Sequence, residues 1–218
     1  MNPGDKRPPK IILASESPRR KEILARLGIS FSVRKPAVHE ISEYCCPSLV
    51  PVINACRKAE GVALEFPSHI VIGADTVIEF EGRILGKPET VSEAVEMLIS
   101  MSGKKHLAVT SVCIRKIEDE FKCVFSDSTE VEFRNFSAST VMEYVGRVNT
   151  LDKAGAYAVQ EFGDMLIGNI RGSHDNVVGL PSEKLVMALR SRAEITFTFG
   201  GKYRCLDSRR KPRVRCGE

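Results

Sequence analysis

The sequence predicts a mixed fold of the α/β or α+β class, folded as one domain with a cleft between its halves. Strand-like and helix-like patterns alternate along the chain, and two long β patterns, 106–117 and 121–134, follow closely enough to form an antiparallel hairpin. The 218 residues are 43% hydrophobic and 28% charged, which is ordinary for a globular protein. No apolar run approaches the roughly 20 residues that a membrane helix needs.

The first half of the chain reads as two strand–helix pairs and a long strand. Residues 9–15 predict a buried strand. Ser17 is placed to cap the helix that follows, with Pro18 at its first position and Gly28 at its end. Apolar residues at helical spacing then predict a helix over 48–66. The other strands of this half are predicted over 31–35, 69–80 and 83–85.

The second half adds the hairpin, three helices and a further strand. The stretch "SEAVEMLISMSG" predicts a helix capped by Ser92 and ended by Gly103, and residues 137–147 predict a shorter helix. Residues 165–172 predict a strand, and 180–191 predict a closing helix. Strands and helices therefore mix throughout, without an internal repeat or a low-complexity tract.

Cysteine usage and charge indicate the compartment and the domain limits. The seven cysteines form no C-x-x-C pair, which favours reduced thiols in a cytosolic protein over a disulfide framework or a zinc site. The start, "MNPGDKRPPK", lacks the apolar core of a secretory signal, so we expect a cytoplasmic protein, with nuclear entry left open. We expect one domain over 1–200 and a basic, solvated tail over 201–218. The near-neutral body argues against nucleic-acid binding as the main function.

The stretch "ASESPRR" places two arginines in the first turn of the first predicted helix. The amino end of a helix carries partial positive charge, so cations there are disfavoured unless an anion is bound. Backbone N–H groups, hydroxyls and two planar guanidinium groups form a set that suits a phosphate. The alternative is a capped surface helix whose arginines pair with Glu16 or Glu22. The candidate phosphate-binding residues of this stretch are Ser15, Ser17, Arg19 and Arg20.

Two acids are candidates for the chemistry. Asp75 stands in an apolar β stretch, "IVIGADTVI", where a carboxylate is costly unless it is paired, hydrogen-bonded or bound to a metal. A strand-end aspartate that binds loop amides is the alternative. Glu40 could share a hard divalent cation with Asp75, because Mg²⁺ is typically held by a few carboxylates, waters and substrate phosphates. Taken alone, Glu40 reads as an exposed loop acid.

Three lysines and a glutamine complete the candidates. Lys87 lies in a Gly/Pro turn from which it could reach a phosphate. Lys58 lies on the 48–66 helix opposite the apolar stripe, so it reads as a solvated lysine unless that face lines a groove; Lys153 is ambiguous in the same way. Gln160 could read the edge of a base, with a polar surface amide as the alternative. Together these residues predict a phosphorylated ligand and leave its hydrolysis with a divalent metal open.

Four segments resemble the Maf family of nucleoside triphosphate pyrophosphatases, also described as septum-formation inhibitors. They are "LASESPRRKEIL", "VIGADTVIEFEGRILGKP", "LDKAGAYAVQEFG" and "GSHDNVVGLP", in order and in register. The resemblance implies an α/β fold with a mixed twisted sheet, flanking helices and two lobes around a central groove. It also implies hydrolysis of a nucleoside triphosphate to the monophosphate and pyrophosphate, and a homodimer.

The resemblance assigns roles to individual residues. Asp75 matches the catalytic carboxylate, the proton acceptor, and Arg19, Thr76 and Gln160 match substrate-specificity positions. "GADT" with "AGAYAVQ" is similar to the branch acting on dTTP and UTP, so we expect a nucleotide-pool housecleaning enzyme. The family usually has a small residue where this chain has Glu16. The expected phosphate-binding residues are Ser15, Ser17, Arg20, Lys58 and Lys87, and the expected ligands of a Mg²⁺ or Mn²⁺ ion are Asp75 and Glu40.

Two other functions stay open at this point. A non-enzymatic regulator of cell division that binds nucleotides or phosphoproteins would need Arg19 and Arg20 but not Asp75. Release of pyrophosphate from a panel of nucleotides separates it from an enzyme. Nucleic-acid binding through the tail would be strongly dependent on salt and would be lost when 201–218 is deleted.

Overall fold

The computed structural model describes residues 11–191, which form a seven-stranded mixed sheet with helices packed against it. The strands are β1 (Ile11–Leu13), β2 (Phe31–Val33), β3 (Ile70–Phe80), β4 (Arg83–Leu85), β5 (Lys105–Lys116), β6 (Phe121–Phe133) and β7 (Ile167–Arg171). The helices are α1 (Pro18–Arg26), α2 (Val50–Glu65), α3 (Val91–Met101), α4 (Ala138–Arg147), α5 (His174–Val178) and α6 (Ser182–Arg190). Single 3-10 turns lie at Pro47–Leu49, Ala154–Ala156 and Gly163–Met165. The predicted α/β class and the predicted hairpin are confirmed.

The long strand β3 organises the sheet. The strand order is β2-β1-β3-β5-β6-β7. Strand β1 is parallel to β2 and β3, and the pairs β3–β5, β5–β6 and β6–β7 are antiparallel. On the edge away from β5, β3 pairs with β1 as far as Ile72 and with β4 from Ile78 onwards. Between them, within the described chain, residues 73–77 have a ladder partner only in β5. This opening in the sheet is where Asp75 and Thr76 lie.

Two hydrophobic cores share one face of the sheet. The first packs α1 and α6 against Ile72, and the second packs α3 and α4 against Ile78. Both residues lie on the same face of β3, with Thr76 between them, because side chains alternate along a strand. The opposite face carries α2, whose Ala55 and Ala59 contact β5. The two cores correspond to the two lobes that the resemblance implies, and the site lies where they meet.

The cap of α3 differs from the prediction. Thr90, not Ser92, caps this helix: Thr90 Oγ1 accepts a hydrogen bond from Glu93 N at 3.2 Å. Glu93 Oε2 in turn accepts from Glu89 N at 2.7 Å. This reciprocal capping arrangement begins the helix earlier than a Ser92 cap would.

The segment after β6 contains the other differences. The strand predicted over 165–172 is shortened, because residues 163–165 form a 3-10 turn before β7 begins. Helix α5 was not predicted, since five residues are too few to show a helical period; Ser173 caps it by accepting from Asn176 N at 3.3 Å. The predicted tail, 201–218, lies outside the described residues. Within 11–191, none of the helices combines the length and the apolar character needed to cross a membrane.

Candidate active site

The junction between β1 and α1 forms one wall of a cleft. Ser17 Oγ caps α1 by accepting from Arg20 N at 3.4 Å, and Ser15 Oγ accepts from Ser17 N at 3.2 Å. The predicted cap and the proline at the first helical position are confirmed. Arg19 and Arg20 lie in the first turn, both partly buried. The cleft has a volume of about 340 Å³ and is lined by these four residues together with Glu16, Lys35, Glu40, Lys58 and Lys87.

The buried carboxylate of Asp75 contacts two side chains of α2. Lys58 Nζ donates to Asp75 Oδ1 at 2.7 Å, and Asn54 Nδ2 donates to Asp75 Oδ2 at 3.1 Å. Lys58 Nζ also lies 2.9 Å from Glu40 Oε2, so one ammonium group joins the two carboxylates. The side chains of Lys58 and Asp75 are 7% and 10% exposed, against 47% for Glu40. We call these four residues, Asn54, Lys58, Asp75 and Glu40, the carboxylate cluster.

Helix α2 reaches Asp75 because Gly73 lets it lie close to β3. A Cβ atom at Gly73 would stand 2.4 Å from the carbonyl oxygen of Ala55 and 2.6 Å from the amide nitrogen of Ala59. Any larger residue there would push the helix away from the strand. Asn54 and Lys58 are four residues apart, hence on one face of α2, and at this separation both reach the carboxylate.

Lys58 is buried, so its reading as a solvated lysine is wrong. The face of α2 that carries it lies beneath the loop before the helix: a Cβ at Gly61 would stand 2.8 Å from Val38, and Ile41 is bound by the Asn54 amide. Ile41 N donates to Asn54 Oδ1, and Asn54 Nδ2 donates to the carbonyl oxygen of Ile41, both at 2.9 Å. Helical periodicity could not show this burial, because the covering segment is an irregular loop.

The surrounding cations keep Glu40 ionised. Partial burial alone would raise the pKa of Glu40, but the Lys58 ammonium, together with Lys87 and Arg20, lowers that pKa below its usual value. Glu40 is therefore a carboxylate at neutral pH, able to accept hydrogen bonds or to bind a cation.

A second, small cavity of about 60 Å³ lies on the other face of β3. Thr76 faces this cavity, because neighbouring residues of a strand point to opposite sides. Tyr157 and Gln160 line it as well, with Gln160 exposed at the surface. Arg19 lines both the cleft and this cavity, so its side chain borders both spaces. The three residues that match specificity positions, Arg19, Thr76 and Gln160, therefore share one cavity.

Arg20 links α1 to the face of β3 that carries Thr76. Its Nε donates to the carbonyl oxygen of Gly179 at 2.8 Å, its Nη2 to Thr76 Oγ1 at 3.1 Å and its Nη1 to Ser15 Oγ at 3.3 Å. Burial lowers the pKa of Arg20, against the attraction of Asp75 and Glu40. Three contacts use only part of the five N–H donors of a guanidinium group, so Arg20 can still bind an anion.

Lys153 organises the loop that carries Gln160. Its side chain is 4% exposed, and its ammonium donates to the carbonyl oxygen of Asn149 at 2.6 Å and to Asp152 Oδ1 at 2.8 Å. Its third neighbour is Glu161 Oε1, at 3.3 Å. These contacts use the three hydrogens of the ammonium group, so Lys153 supports the loop rather than offering a free cation to a ligand.

The arginines of the opening motif do not pair with the acids of their own helix in the described residues. Arg19 Nη1 lies 3.6 Å from Glu161 Oε1 and 3.8 Å from Asp152 Oδ2. Glu16 pairs instead with Lys35, at 3.2 Å between Oε2 and Nζ, and both side chains are exposed. The departure of Glu16 from the family pattern thus has a local partner at the rim of the cleft.

The comparison with known proteins gives the family. A protein-family model described as Maf-like protein matches residues 10–192 of this chain. This chain belongs to the Maf-like family. A protein from Akkermansia muciniphila named dTTP/UTP pyrophosphatase is 42% identical over 182 residues, which cover 83% of this chain and 95% of that protein. A protein of the same name from Bacillus cereus is 44% identical over 83% of this chain and 94% of its own. A HAM1 protein from Coxiella burnetii has a TM-score of 0.49 and 17% identity, over 84% of this chain and 99% of its own.

The carboxylate cluster of this Maf-like protein suits a hard divalent cation by the kind of its donors. Oxygens of Asp75 and Glu40 meet at one ammonium group, and Mg²⁺ is commonly held by one or two carboxylates with substrate phosphates. Residues 11–191 contain no group of three or more His, Cys, Asp or Glu side chains that could hold a metal ion. A metal at this cluster would therefore take its remaining ligands from phosphate and water.

Sequence reasoning missed Asn54 as a member of the site. Helical periodicity puts this residue on the polar face of its helix with Lys58, and both belong to the carboxylate cluster because that face is covered. The spacing of four residues between an amide and an ammonium on one helix face was the available signal. Lys87, by contrast, lies exposed at the rim of the cleft as its turn predicts.

Proposed function

We propose that this Maf-like protein hydrolyses dTTP and UTP to the monophosphates and pyrophosphate. One observation carries the proposal: a buried carboxylate, Asp75, is hydrogen-bonded to Lys58 in the wall of a cleft rich in cations, and Arg19 borders both this cleft and the second cavity. The names of the Akkermansia and Bacillus relatives support the choice of substrate.

The two spaces suit the two ends of a nucleotide. The triphosphate would lie in the cleft, against the hydroxyls and N–H groups at the start of α1 and the surrounding cations. The base would lie in the second cavity, beside Thr76 and Gln160, with Arg19 between the two. The proposed phosphate-binding residues are Ser15, Ser17, Arg20, Lys58 and Lys87.

Asp75 is the proposed proton acceptor. A water held at its carboxylate would lose a proton to Asp75 as it attacks the α-phosphorus, which breaks the bond to the β-phosphate. A positioned base contributes about 10²–10⁴-fold to such a step. Arg20, Lys58 and Lys87 would offset the negative charge that grows on the departing pyrophosphate. The Lys58 ammonium, 2.7 Å from Asp75 Oδ1, would hold this carboxylate in place for the step.

Asp75 and Glu40 are the residues that would hold a Mg²⁺ or Mn²⁺ ion. Such an ion would supply charge neutralisation and polarise a phosphoryl oxygen. The lowered pKa of Glu40 keeps this second carboxylate available for it. A homodimer, a cytoplasmic location, a housecleaning role and a link to septum formation stay predictions.

The test uses the full chain with dTTP, UTP, CTP, dCTP, ATP and GTP in the presence of Mg²⁺ or Mn²⁺. We expect monophosphate and pyrophosphate from dTTP and UTP, and loss of activity when a chelator removes the metal. Diphosphate with inorganic phosphate as products would contradict cleavage after the α-phosphate. Tight binding of nucleotides without any hydrolysis would favour the non-enzymatic regulator instead.

A further inference from the structure

A seam of three threonines, two of them fully buried, separates the two hydrophobic cores. On β3, Thr76 lies between the residues of the two cores, and on β5, Thr110 lies between Val112 of the first core and Ala108 of the second. Thr76 and Thr110 are register partners across the two strands. Thr129 continues the seam on β6, and both Thr110 and Thr129 are 0% exposed. Hydroxyl groups buried in this way are expensive unless they are hydrogen-bonded.

The hydrogen of Thr110 has a defined direction. Thr110 Oγ1 lies 2.8 Å from the backbone carbonyl oxygen of Asn176, which can only accept, so Thr110 donates its one hydrogen there. Thr110 Oγ1 also lies 2.9 Å from Thr76 Oγ1. Since Thr110 has no second hydrogen, Thr76 must be the donor in this contact.

This donation by Thr110 also fixes the hydrogen of Thr76. Its only hydroxyl hydrogen points to Thr110, and its oxygen already accepts from Arg20 Nη2 at 3.1 Å. A hydroxyl oxygen has two lone pairs, so one remains. Toward the second cavity, Thr76 can therefore accept a hydrogen bond but cannot donate one. We call the chain from Arg20 through Thr76 and Thr110 to the Asn176 carbonyl the hydroxyl relay.

We propose that Thr110 is a positioning residue that fixes Thr76 as an acceptor, so that the cavity selects bases presenting an N–H donor. Uracil and thymine carry a hydrogen on N3, whereas N3 of cytosine carries a lone pair that an acceptor repels. The proposal rests on the proposed function, because it concerns the base of the same substrate. It assigns to a residue outside the cavity the discrimination between the two kinds of pyrimidine.

Gln160 alone cannot supply this discrimination. Its amide has a donor and an acceptor at similar distances from the chain, and a rotation exchanges them. Gln160 is also exposed, so the rotation meets little resistance. A hydroxyl whose hydrogen is committed inside the protein has a fixed polarity, which is the property needed to reject a wrong base.

The test compares kcat/KM for UTP and CTP in the wild type and in Thr110→Val. The substitution keeps the shape of the side chain and frees the hydrogen of Thr76 to donate to N3 of cytosine. We expect the wild type to prefer UTP, and the UTP/CTP ratio to fall about tenfold in the variant, mainly because CTP hydrolysis rises. Thr110→Ser keeps the hydroxyl and should restore the wild-type ratio.

Thr129→Val is the matched control. Thr129 is equally buried and donates to the carbonyl oxygen of Ser173 at 3.1 Å, so both threonines hold the segment of α5 against the sheet. Thr129 Oγ1 also accepts from Asn176 Nδ2 at 3.0 Å, whereas Thr110 Oγ1 forms the hydrogen bond with Thr76. We expect Thr129→Val to lower stability while the UTP/CTP ratio stays at the wild-type value.

An unchanged ratio in a folded Thr110→Val that hydrolyses UTP would overturn the proposal, and so would a wild type that hydrolyses CTP as fast as UTP. If Thr110→Val does not fold, Thr76→Val decides, because it removes the acceptor itself. Its ratio should fall through slower UTP hydrolysis, and an unchanged ratio there also overturns the proposal. A wild type that releases no pyrophosphate from any nucleotide would overturn the proposed function first, and this inference with it.

Discussion

Asp75 and Thr76 are neighbours in the sequence, yet they belong to two different environments on opposite faces of β3. Asp75 lies among charges, where Lys58 joins two carboxylates and a loop covers α2. Thr76 lies in a neutral chain of hydroxyls between two hydrophobic cores, with a single cation at its end. The alternation of a strand thus places a charged site and an uncharged one within one residue of each other.

The two faces of β3 are suited to different tasks. Charge can offset a developing negative charge whatever base is bound, so the carboxylate cluster should control the rate. A hydroxyl of fixed direction adds little charge but distinguishes a donor from an acceptor, so the hydroxyl relay should control the choice of base. Substitutions in the carboxylate cluster should therefore change rates, and substitutions in the relay should change ratios between nucleotides.

The largest expected effect is that of Asp75→Asn. The amide can accept from Lys58 but cannot take up a proton from water, so kcat should fall by about 10²–10⁴-fold for UTP and CTP alike. Steady-state rates of pyrophosphate release measure this, and thermal unfolding checks that the variant is folded. Glu60→Gln, on the same helix but paired with Arg115, is the control. Near-wild-type turnover would show that Asp75 is not the proton acceptor. A changed UTP/CTP ratio would show that the face of Asp75 also affects the choice of base.

Lys58→Met tests how far the charged face depends on one buried cation. Removal of Lys58 leaves Asp75 buried without its ammonium partner, and such losses cost about 3 kcal/mol in the free energy of unfolding. Lys104→Met is the matched control, because Lys104 Nζ lies 2.9 Å from Glu81 Oε1, the same distance as in the Lys58–Glu40 pair, but both side chains are exposed. Urea denaturation should show that this control loses less than about 1 kcal/mol of the free energy of unfolding. Equal losses in the two variants would contradict the importance of burial.

The elements and motifs that depend on nearby residues could be predicted from the sequence. The Ser17 cap, the hairpin of β5 and β6 and the hydroxyl and guanidinium groups at the start of α1 each follow from a few adjacent positions. The apolar run around Asp75 likewise marks it as a carboxylate that needs a partner. Asp75 and the two arginines are therefore recognisable from their neighbours in the chain alone.

The partners of these residues could not be predicted in the same way. Lys58 is buried because an irregular loop covers it, and Thr110 matters because a five-residue helix brings the Asn176 carbonyl to it. The loop contact joins Ile41 to Asn54, and the Thr110 contact joins β5 to a helix 66 residues further along the chain. Helical periodicity describes only how one element faces its surroundings, so it predicted a solvated Lys58.

Acid should distinguish the two faces as well. His106 lies beside Tyr157 of the second cavity, with 2.7 Å between Nε2 and the phenol oxygen, and burial lowers the pKa of His106 to about 4. Between pH 6.5 and that value the unfolded chain takes up a proton that the folded chain does not. The free energy of unfolding should therefore decrease as the pH is lowered, by about 2 kcal/mol at pH 5. The pKa of Glu40 is lowered instead, so its contribution is still present at pH 5 and is lost as the pH falls further.

Urea denaturation at pH 7, 6 and 5 measures this difference. His106→Gln should flatten the decline between pH 6.5 and 5, whereas His39→Gln, at an exposed position of the loop before α2, should leave it unchanged. A decline of equal slope in all three proteins would show that the acid sensitivity lies elsewhere in the chain.

The smallest expected effect, and the finest test of the charged face, is that of Asn54→Leu. Asn54 gives one amide hydrogen to Asp75 and the other to Ile41, next to Glu40, so it holds the two carboxylates in one arrangement. Its loss should lower kcat for UTP about tenfold without changing the UTP/CTP ratio, because orientation is lost while the charges remain.

Arg57→Leu is the control for Asn54→Leu, since Arg57 Nη1 donates to the carbonyl oxygen of His39 at 3.1 Å and so holds the same loop to α2 without touching Asp75. If both variants lose activity equally, attachment of the loop is what matters, and the bond from Asn54 to Asp75 has no separate role. If only Asn54→Leu loses activity, the orientation of the Asp75 carboxylate contributes to kcat. A fall in the UTP/CTP ratio in either variant would mean that the two faces of β3 are coupled through the strand itself.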